Sequence, residues 1–339
     1  MRDDRHMRIA GNVALAAVLL GLVWYFTKFG IGLATGFFEG GSPRGVPQFI
    51  WTTVSYALWA ISLASWWFLA RSSLNGARLL YIKVALSIVG KILGIIFTSW
   101  NRAQTIAAGR AYNEHYFQAL ALSSTISVVF ALVDIAVLAV LIHRNIGRAK
   151  WFLSMFLSTH ALGLISFGLG TLCLVLLYQR GVDGAHDINA SLLGASKAIG
   201  AIQYIISTAA WLLVYTESQL PAGYVEGSEP DRKRIPLLWR IFVLATPLLA
   251  FTNMSAPGRA SALMLFAPAG LLGVFVDPDS ANSAMPFLLA FGYIAYIATA
   301  VAILWSRTRK ALLYSVAAGF LLVLLNVAGC ARMLNDLHF

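Results

Sequence analysis

The sequence predicts an all-α fold, a polytopic helical membrane protein with about nine transmembrane helices, and three observations support this. Of the 339 residues, 59% are hydrophobic and only 12% are charged, about half the charged fraction of a soluble domain. Many uninterrupted apolar runs are long enough to cross the roughly 30 Å of hydrocarbon in a bilayer. Short basic turns join these runs in pairs. A soluble globular protein is excluded, because so few charges could not keep this much apolar surface in water.

The apolar runs follow one another without any stretch long enough to form a separate soluble domain. The first run follows the basic start MRDDRHMR, and no small-residue cleavage site comes after it, so we expect an uncleaved first span. A further stretch, residues 261–276, is shorter and contains Pro268, and we expect it to be re-entrant or interfacial. The nine predicted spans are residues 9–27, 49–70, 79–100, 119–142, 151–178, 193–215, 236–254, 285–305 and 311–334.

The excess of basic residues is explained by orientation in the membrane. The net charge of +11 would suggest a nucleic-acid partner in a soluble protein. With nine spans and a cytoplasmic N-terminus, twice as many Lys and Arg residues fall on the cytoplasmic side as on the outer side, and a tenth span would weaken this bias. We therefore expect a plasma (inner) membrane protein with its C-terminus outside, whose partner is the lipid bilayer and not nucleic acid.

Four basic turns, each placing cations just before an aromatic residue, join one apolar run to the next. They are RSSLNGARLLY, HRNIGRAKWF, DRKRIPLLW and SRTRKALLY. Their regular recurrence predicts one N-terminal span followed by four helical hairpins in the same orientation, which would be a parallel internal repeat. The alternative is the ordinary alternation of basic turns in any polytopic protein.

The longest predicted cytoplasmic connection, residues 216–235, divides the chain. It is rich in Gly, Pro and Glu and lacks apolar periodicity, which is typical of a flexible linker. We therefore expect an N-terminal membrane bundle of six spans in residues 1–215. A C-terminal bundle of three spans, together with the re-entrant or interfacial segment, is expected in residues 236–339.

Familiar catalytic and cofactor motifs are absent from the sequence. It contains no P-loop, no GxGxxG fingerprint, no GxSxG elbow and no HExxH motif, which disfavours an ATP-driven pump or a common hydrolase. Cys173 and Cys330 lie in apolar runs, outside any CxxC or Cys/His cluster, so neither a zinc site nor a disulfide framework is indicated. No cofactor can be named from the sequence.

Several ionisable residues fall inside predicted spans, where an unpaired charge is expensive. Lys91 lies about 18 Å from the cytoplasmic end of the third span, Asp134 about 12 Å from the same face in the fourth, and His160 about 14 Å in the fifth. Because a lysine side chain can cover these differences in depth, we expect the three to converge. Gln203 of the sixth span lies at a similar depth and would extend the site. Lys83, near the end of the third span, is expected to be an interfacial anchor.

Two interpretations of this predicted cluster remain open. In the first, Lys91 and Asp134 neutralise one another and fix helix packing. In the second, the cluster is a polar pocket or proton relay in which Asp134 and His160 change charge during a transport cycle.

A second group of polar residues lies in the predicted outer loops. Glu114 and His115 precede the fourth span, and Asp183, His186 and Asp187 lie in the loop RGVDGAHDIN. Carboxylate and imidazole groups could bind a divalent cation or act as acid and base on an extracytoplasmic substrate. Their spacing matches no metal motif, and an ordinary solvated loop explains them as well.

Three classes of function are compatible with these patterns. The polar cluster and the absence of a soluble domain favour a transporter, permease or channel-like protein for a small or amphipathic solute, with its site between spans three to six. The alternatives are an accessory or scaffold subunit of a larger membrane complex, and a membrane-embedded enzyme acting on a lipid-linked substrate at the outer face. The partners expected are a small solute or lipid, and other copies or subunits of a membrane complex.

Overall fold

The protein is built from helices in all the ranges that the computed structural model describes, residues 5–34, 48–108, 114–219, 236–252, 271 and 278–336. A short 3₁₀ helix, Ala77–Leu79, precedes the third long helix. The long helices are α1 (Arg5–Ala34), α2 (Gln48–Ala70), α3 (Leu80–Ala108), α4 (Glu114–Arg144), α5 (Gly147–Ser218), α6 (Leu237–Thr252), α7 (Pro278–Trp305) and α8 (Arg309–Asp336).

Eight helical segments of the described chain are long and apolar enough to cross a membrane, so the predicted polytopic all-α membrane fold is confirmed. The seventh predicted span corresponds to α6, whose apolar part, Leu237–Pro247, is shorter than the others. The predicted re-entrant segment, residues 261–276, lies outside the described residues apart from Leu271, which is buried. The eight segments are Arg5–Thr27, Thr52–Ala70, Ala77–Phe97, Leu122–Arg144, Gly147–Cys173, Gly194–Ser218, Pro286–Trp305 and Arg309–Asn326.

The chain divides into two compact units, Met1–Tyr224 and Val225–Phe339. We call them the N-terminal unit and the C-terminal unit and describe each by itself. The boundary between them falls inside residues 216–235, the stretch whose composition is typical of a linker.

Helix α5 is a hairpin of two antiparallel arms, although its 72 residues would measure about 108 Å if straight. The arms are Gly147–Cys173 and Gly194–Ser218. Ser166 and Ser196 each donate a hydroxyl hydrogen bond to the other's carbonyl oxygen at 2.9 Å. Arg148 pairs with Glu217 across the same hairpin at 2.6 Å.

These pairs place the reversal of chain direction near residue 182. That position lies in the stretch predicted to be an outer loop between the fifth and sixth spans. The backbone of residues 181–190 is helical in the stretch where the sequence predicts a solvated loop.

The helices of the N-terminal unit form a closed ring. Each helix from α1 to α5 packs against the next, and α5 packs back against α1. Gly11 of α1 lies against the backbone of Tyr215, and Gly21 lies near the Tyr204 hydroxyl, so α1 runs antiparallel to the second arm of α5. The start of α1, the turn between α2 and α3, the turn between α4 and α5, and the end of α5 therefore share one end of the ring, which we call the basic end.

An aromatic cluster fills the ring near the basic end. The ring of Phe156 lies 4.6 Å from that of Trp66 and 4.9 Å from that of Trp211, measured between centroids. Phe156 is 1% exposed and Trp211 is 6% exposed. Met7 of α1 is fully buried in the same core, so the first helix is an integral part of the unit.

Gly11→Ala should destabilise the N-terminal unit, because the added Cβ would lie 2.7 Å from the Cα of Tyr215. Backbone cannot yield as a flexible side chain can, so we expect a loss of about 1 to 3 kcal/mol, the usual cost of overpacking. Gly21→Ala is the matched control, because its Cβ would meet only the Tyr204 hydroxyl at 3.9 Å. Thermal unfolding in detergent measures both variants. Equal midpoints for the two would contradict the close approach of α1 and α5.

The two basic turns of the N-terminal unit are joined by asparagine side chains. Asn145 accepts a hydrogen bond from the backbone N–H of Asn75 and donates to its carbonyl oxygen. Gly76 and Gly147 follow these asparagines with φ of +80° and +63°, a backbone conformation that suits glycine. Both turns thus combine an asparagine with a left-handed glycine, which favours the predicted repeat of hairpins for this part of the chain.

In the C-terminal unit, α7 packs against both α6 and α8. The Arg240 guanidinium of α6 donates to the carbonyl oxygen of Leu304 near the end of α7. Ser306 and Ser315 share a hydroxyl hydrogen bond of 3.1 Å where α7 passes into α8. These contacts hold the last hairpin at one end.

Candidate functional site

Three ionisable side chains meet inside the N-terminal unit, and we call them the buried triad. Lys83 Nζ lies 2.8 Å from Asp134 Oδ2 and 2.8 Å from His160 Nε2. His160 Nδ1 lies 3.8 Å from the same Asp134 oxygen. The residues come from α3, α4 and the first arm of α5, so the triad links three consecutive helices of the ring.

The triad is largely shielded by the protein. The side chains of Lys83, Asp134 and His160 are 10%, 13% and 21% exposed. The Lys83 ammonium also lies 4.7 Å from the centre of a Trp66 ring, so α2 contributes an aromatic face to the site. The triad therefore lies directly against the aromatic cluster of the core.

The neighbours of Lys83 determine the chemistry of the triad. With Lys83 protonated, its ammonium can only donate hydrogen bonds, and the 2.8 Å contact then makes His160 Nε2 the acceptor. The imidazole is then neutral and carries its proton on Nδ1, the nitrogen nearer Asp134. Asp134 Oδ1 is buried and has no hydrogen-bond partner among the described residues. The carboxylate thus keeps one oxygen free to accept a proton or a donor group.

With Lys83 protonated, Asp134 ionised and His160 neutral, the formal charges of the triad balance. One ammonium and one carboxylate cancel, while the imidazole is neutral. A proton added to His160 would place two cations 2.8 Å apart, which Coulomb repulsion strongly disfavours away from water. A proton added to Asp134 would instead remove the partner of Lys83.

The structure corrects the predicted convergence of Lys91, Asp134 and His160. Asp134 and His160 do meet, but Lys83 joins them in place of Lys91. Each residue of an α-helix turns by about 100°, so eight positions along α3 carry Lys91 about 80° around the axis from Lys83. Lys91 consequently faces α2. Lys83 extends into the unit and is not the predicted interfacial anchor.

Lys91 lies between aromatic rings of α2. Its Nζ is 4.5 Å from the centre of the Tyr56 ring and 5.8 Å from a Trp59 ring. Among the described residues, no carboxylate lies within ion-pair distance of Lys91. Cation–π contacts contribute about 0.5 to 2 kcal/mol, less than the roughly 2.5 to 3.5 kcal/mol that a lysine costs at the centre of a membrane helix.

Gln203 lies near the triad without joining it. Its amide packs against Gly163, one turn from His160 on the first arm of α5, and its Nε2 would lie 3.0 Å from a Cβ placed there. Gly90 of α3 faces Phe130 of α4, whose ring would lie 3.5 Å from a Cβ added at Gly90.

The predicted outer group is only partly visible. Glu114 and His115 begin α4, and Asp183, His186 and Asp187 lie where α5 reverses, but these five side chains are outside the described part of the structure. The described side chains include no group of three His, Cys, Asp or Glu residues placed to hold a metal ion.

The two cysteines differ in what can be said of them. Cys173 is buried at the end of the first arm of α5. The side chain of Cys330 in α8 lies outside the described residues.

Sequence reasoning missed Lys83 and Trp66 as components of the site. The length of the lysine side chain was the signal that could have identified Lys83. Its Cα lies only about 6 to 8 Å shallower than those of Asp134 and His160, and a lysine side chain can extend that far toward the membrane centre as well as toward the surface. Trp66 carried no signal that separated it from the other aromatic residues of the spans.

Comparisons with known proteins identify no relative of this chain. No protein-family model, curated protein sequence or solved structure matches the chain. The class defined by the fold is an integral, multi-pass helical membrane protein. Its function has to be inferred from the chemistry of the buried triad.

Proposed function

We propose that the protein is a secondary transporter or permease for a small or amphipathic solute, in which the buried triad couples proton binding to solute movement. The observation that carries this proposal is the 2.8 Å ion pair between Lys83 and Asp134, completed by His160, between membrane-spanning helices. Ionisable groups inside a membrane bundle are costly and mark solute or proton pathways in many transporters.

The free oxygen of Asp134 suggests how a proton acts. A proton that binds Oδ1 converts the carboxylate to a neutral acid, and the charge of the triad rises by one. The attraction that holds α3 to α4 through Lys83 is then lost. His160 Nε2 remains as an acceptor for the ammonium, so Lys83 stays inside the unit. The N–H group that had bonded to Asp134 becomes available to a solute.

Proton binding therefore shifts the equilibrium between two arrangements of the helices around the triad. In one, Lys83 bridges α4 and the first arm of α5. In the other, it is released from α4 and offers a cation to the solute. A ligand that binds the second arrangement better shifts the population toward it, which is the minimal requirement for coupling. Gln203 of the second arm of α5 packs against Gly163, one turn from His160, and extends the proposed pathway.

Transport can be tested in phosphatidylcholine proteoliposomes that contain the purified chain and an entrapped pH-sensitive dye. Small organic anions, cations and amphiphiles are added outside in turn. We expect at least one of them to change the internal pH with the wild-type protein, and Asp134→Asn to abolish this change. Lys197→Met is the control, because this lysine is exposed and makes none of the contacts of the triad. An Asp134→Asn variant that folds and retains the pH response would overturn the proposal.

The proposed orientation has the N-terminus and the basic end in the cytoplasm and the C-terminus outside, in a plasma (inner) membrane. It is supported by the common location of the start of α1 and the two basic turns at one end of the ring. A reporter active only in the cytoplasm should be inactive when fused after His338 and active when inserted in residues 143–150. Cytoplasmic activity after His338 would reverse the orientation of the last span and favour ten spans.

A further inference from the structure

We infer that Lys91, together with Tyr56 and Trp59, forms a second site that binds the carboxylate of a single-chain amphiphile, such as a fatty acid, reached from the bilayer. The site is separate from the buried triad, because Lys91 lies eight residues and about 12 Å farther along α3 than Lys83. The inference does not depend on transport, since it concerns binding alone.

The first support is the missing counter-charge of Lys91. The structure gives its ammonium two ring contacts, to Tyr56 and Trp59, and the described residues supply no carboxylate. Lys83 differs, because it has both a carboxylate and an imidazole within 2.8 Å. Ring faces alone compensate the loss of hydration of an ammonium only in part, so an anionic ligand would complete the site.

The second support is the position of Lys91 at the edge of the outward face of α3. Ile88 and Ile95, three residues before it and four after, share its side of the helix and are 39% and 46% exposed. Ile92, its neighbour, is 51% exposed. A ligand can therefore reach the ammonium laterally while an aliphatic chain lies along these isoleucines.

Depth and polarity favour a simple carboxylate. Lys91 lies about 6 Å beyond the midpoint of the apolar segment Ala77–Phe97, well inside the hydrocarbon layer. Ser87, one turn away, already accepts a hydrogen bond from the Trp59 indole N–H at 3.3 Å. One cation and few other polar groups match a single negative charge on a compact head, whereas a phospholipid head carries further polar atoms that would be buried without partners.

Binding at this site can be measured by the fluorescence of Trp59, which lies beside Lys91. A fatty acid brominated near its carboxyl group quenches tryptophan fluorescence on contact. The chain is reconstituted in phosphatidylcholine nanodiscs, and the signal of Trp59 is isolated as the difference between each protein and the same protein carrying Trp59→Phe. We expect saturable quenching of Trp59, with affinity at least tenfold weaker in Lys91→Met and nearly unchanged in Lys91→Arg.

Two further arms identify the ligand chemistry. The methyl ester of the same brominated fatty acid, which has no charge, should quench the wild-type protein with at least tenfold weaker affinity. Phosphatidylglycerol added to the nanodiscs should not displace the acid. The inference is overturned if the acid and its ester bind wild type equally. It is also overturned if folded Lys91→Met binds like wild type, or if phosphatidylglycerol displaces the acid, which would make an anionic phospholipid the occupant.

Discussion

Replacing Asp134 with asparagine should lower the free energy of unfolding by about 3 to 5 kcal/mol, the usual cost of leaving one buried charge without its partner. Lys83 would remain inside the unit, where the described residues give it His160 and the Trp66 ring as its other neighbours. Reversible unfolding in mixed micelles, followed by the fluorescence of the tryptophans in the core, measures the loss.

A second substitution decides which lysine pairs with Asp134. Lys83→Met combined with Asp134→Asn removes both charges, so we expect it to recover most of the stability lost in Asp134→Asn. Lys91→Met combined with Asp134→Asn is the matched control and should recover little, because Lys91 faces Tyr56 and Trp59. Rescue by Lys91→Met and not by Lys83→Met would contradict the observed pairing.

Phe156→Ala should have an effect of similar size, about 3 to 5 kcal/mol, because it opens a cavity between rings that have little freedom to close it. Phe156 is 1% exposed and contacts Trp66, Trp211 and Phe152. Ile165→Ala on the same arm of α5 is the control, since Ile165 is 53% exposed, and we expect its midpoint of unfolding to change little. Equal losses for the two variants would show that Phe156 is not part of a packed core.

The helices were predictable because membrane spans depend on a local property, the length of an apolar run. The runs at 9–27 and 49–70, for example, correspond to spans within α1 and α2. The helical reversal of α5 was not predictable, because glycine, aspartate and asparagine in residues 181–190 resemble an ordinary loop, and only contacts between the two arms show where the chain turns back.

The site was predictable in part for a related reason. Depth along each helix brought Asp134 and His160 together, since both distances are fixed by the rise per residue. The identity of the lysine depends instead on rotation about the helix axis and on the direction in which a long side chain extends. Neither the rotation nor the direction of the side chain can be read from depth. Two steps of four residues separate Lys83 from Lys91, and together they rotate the side chain by about 80° around the helix axis.

The most direct measurement is the infrared difference spectrum of reconstituted protein as the pH is lowered from neutral, recorded for wild type and Asp134→Asn. If Asp134 binds a proton and loses its ion pair with Lys83, acidification produces the carbonyl band of a protonated carboxylic acid in wild type. The Asp134→Asn variant lacks this band. The midpoint of this band should coincide with the pH dependence of solute uptake. An Asp134 that stays ionised across the whole pH range in which uptake proceeds would contradict a coupling role for the buried triad.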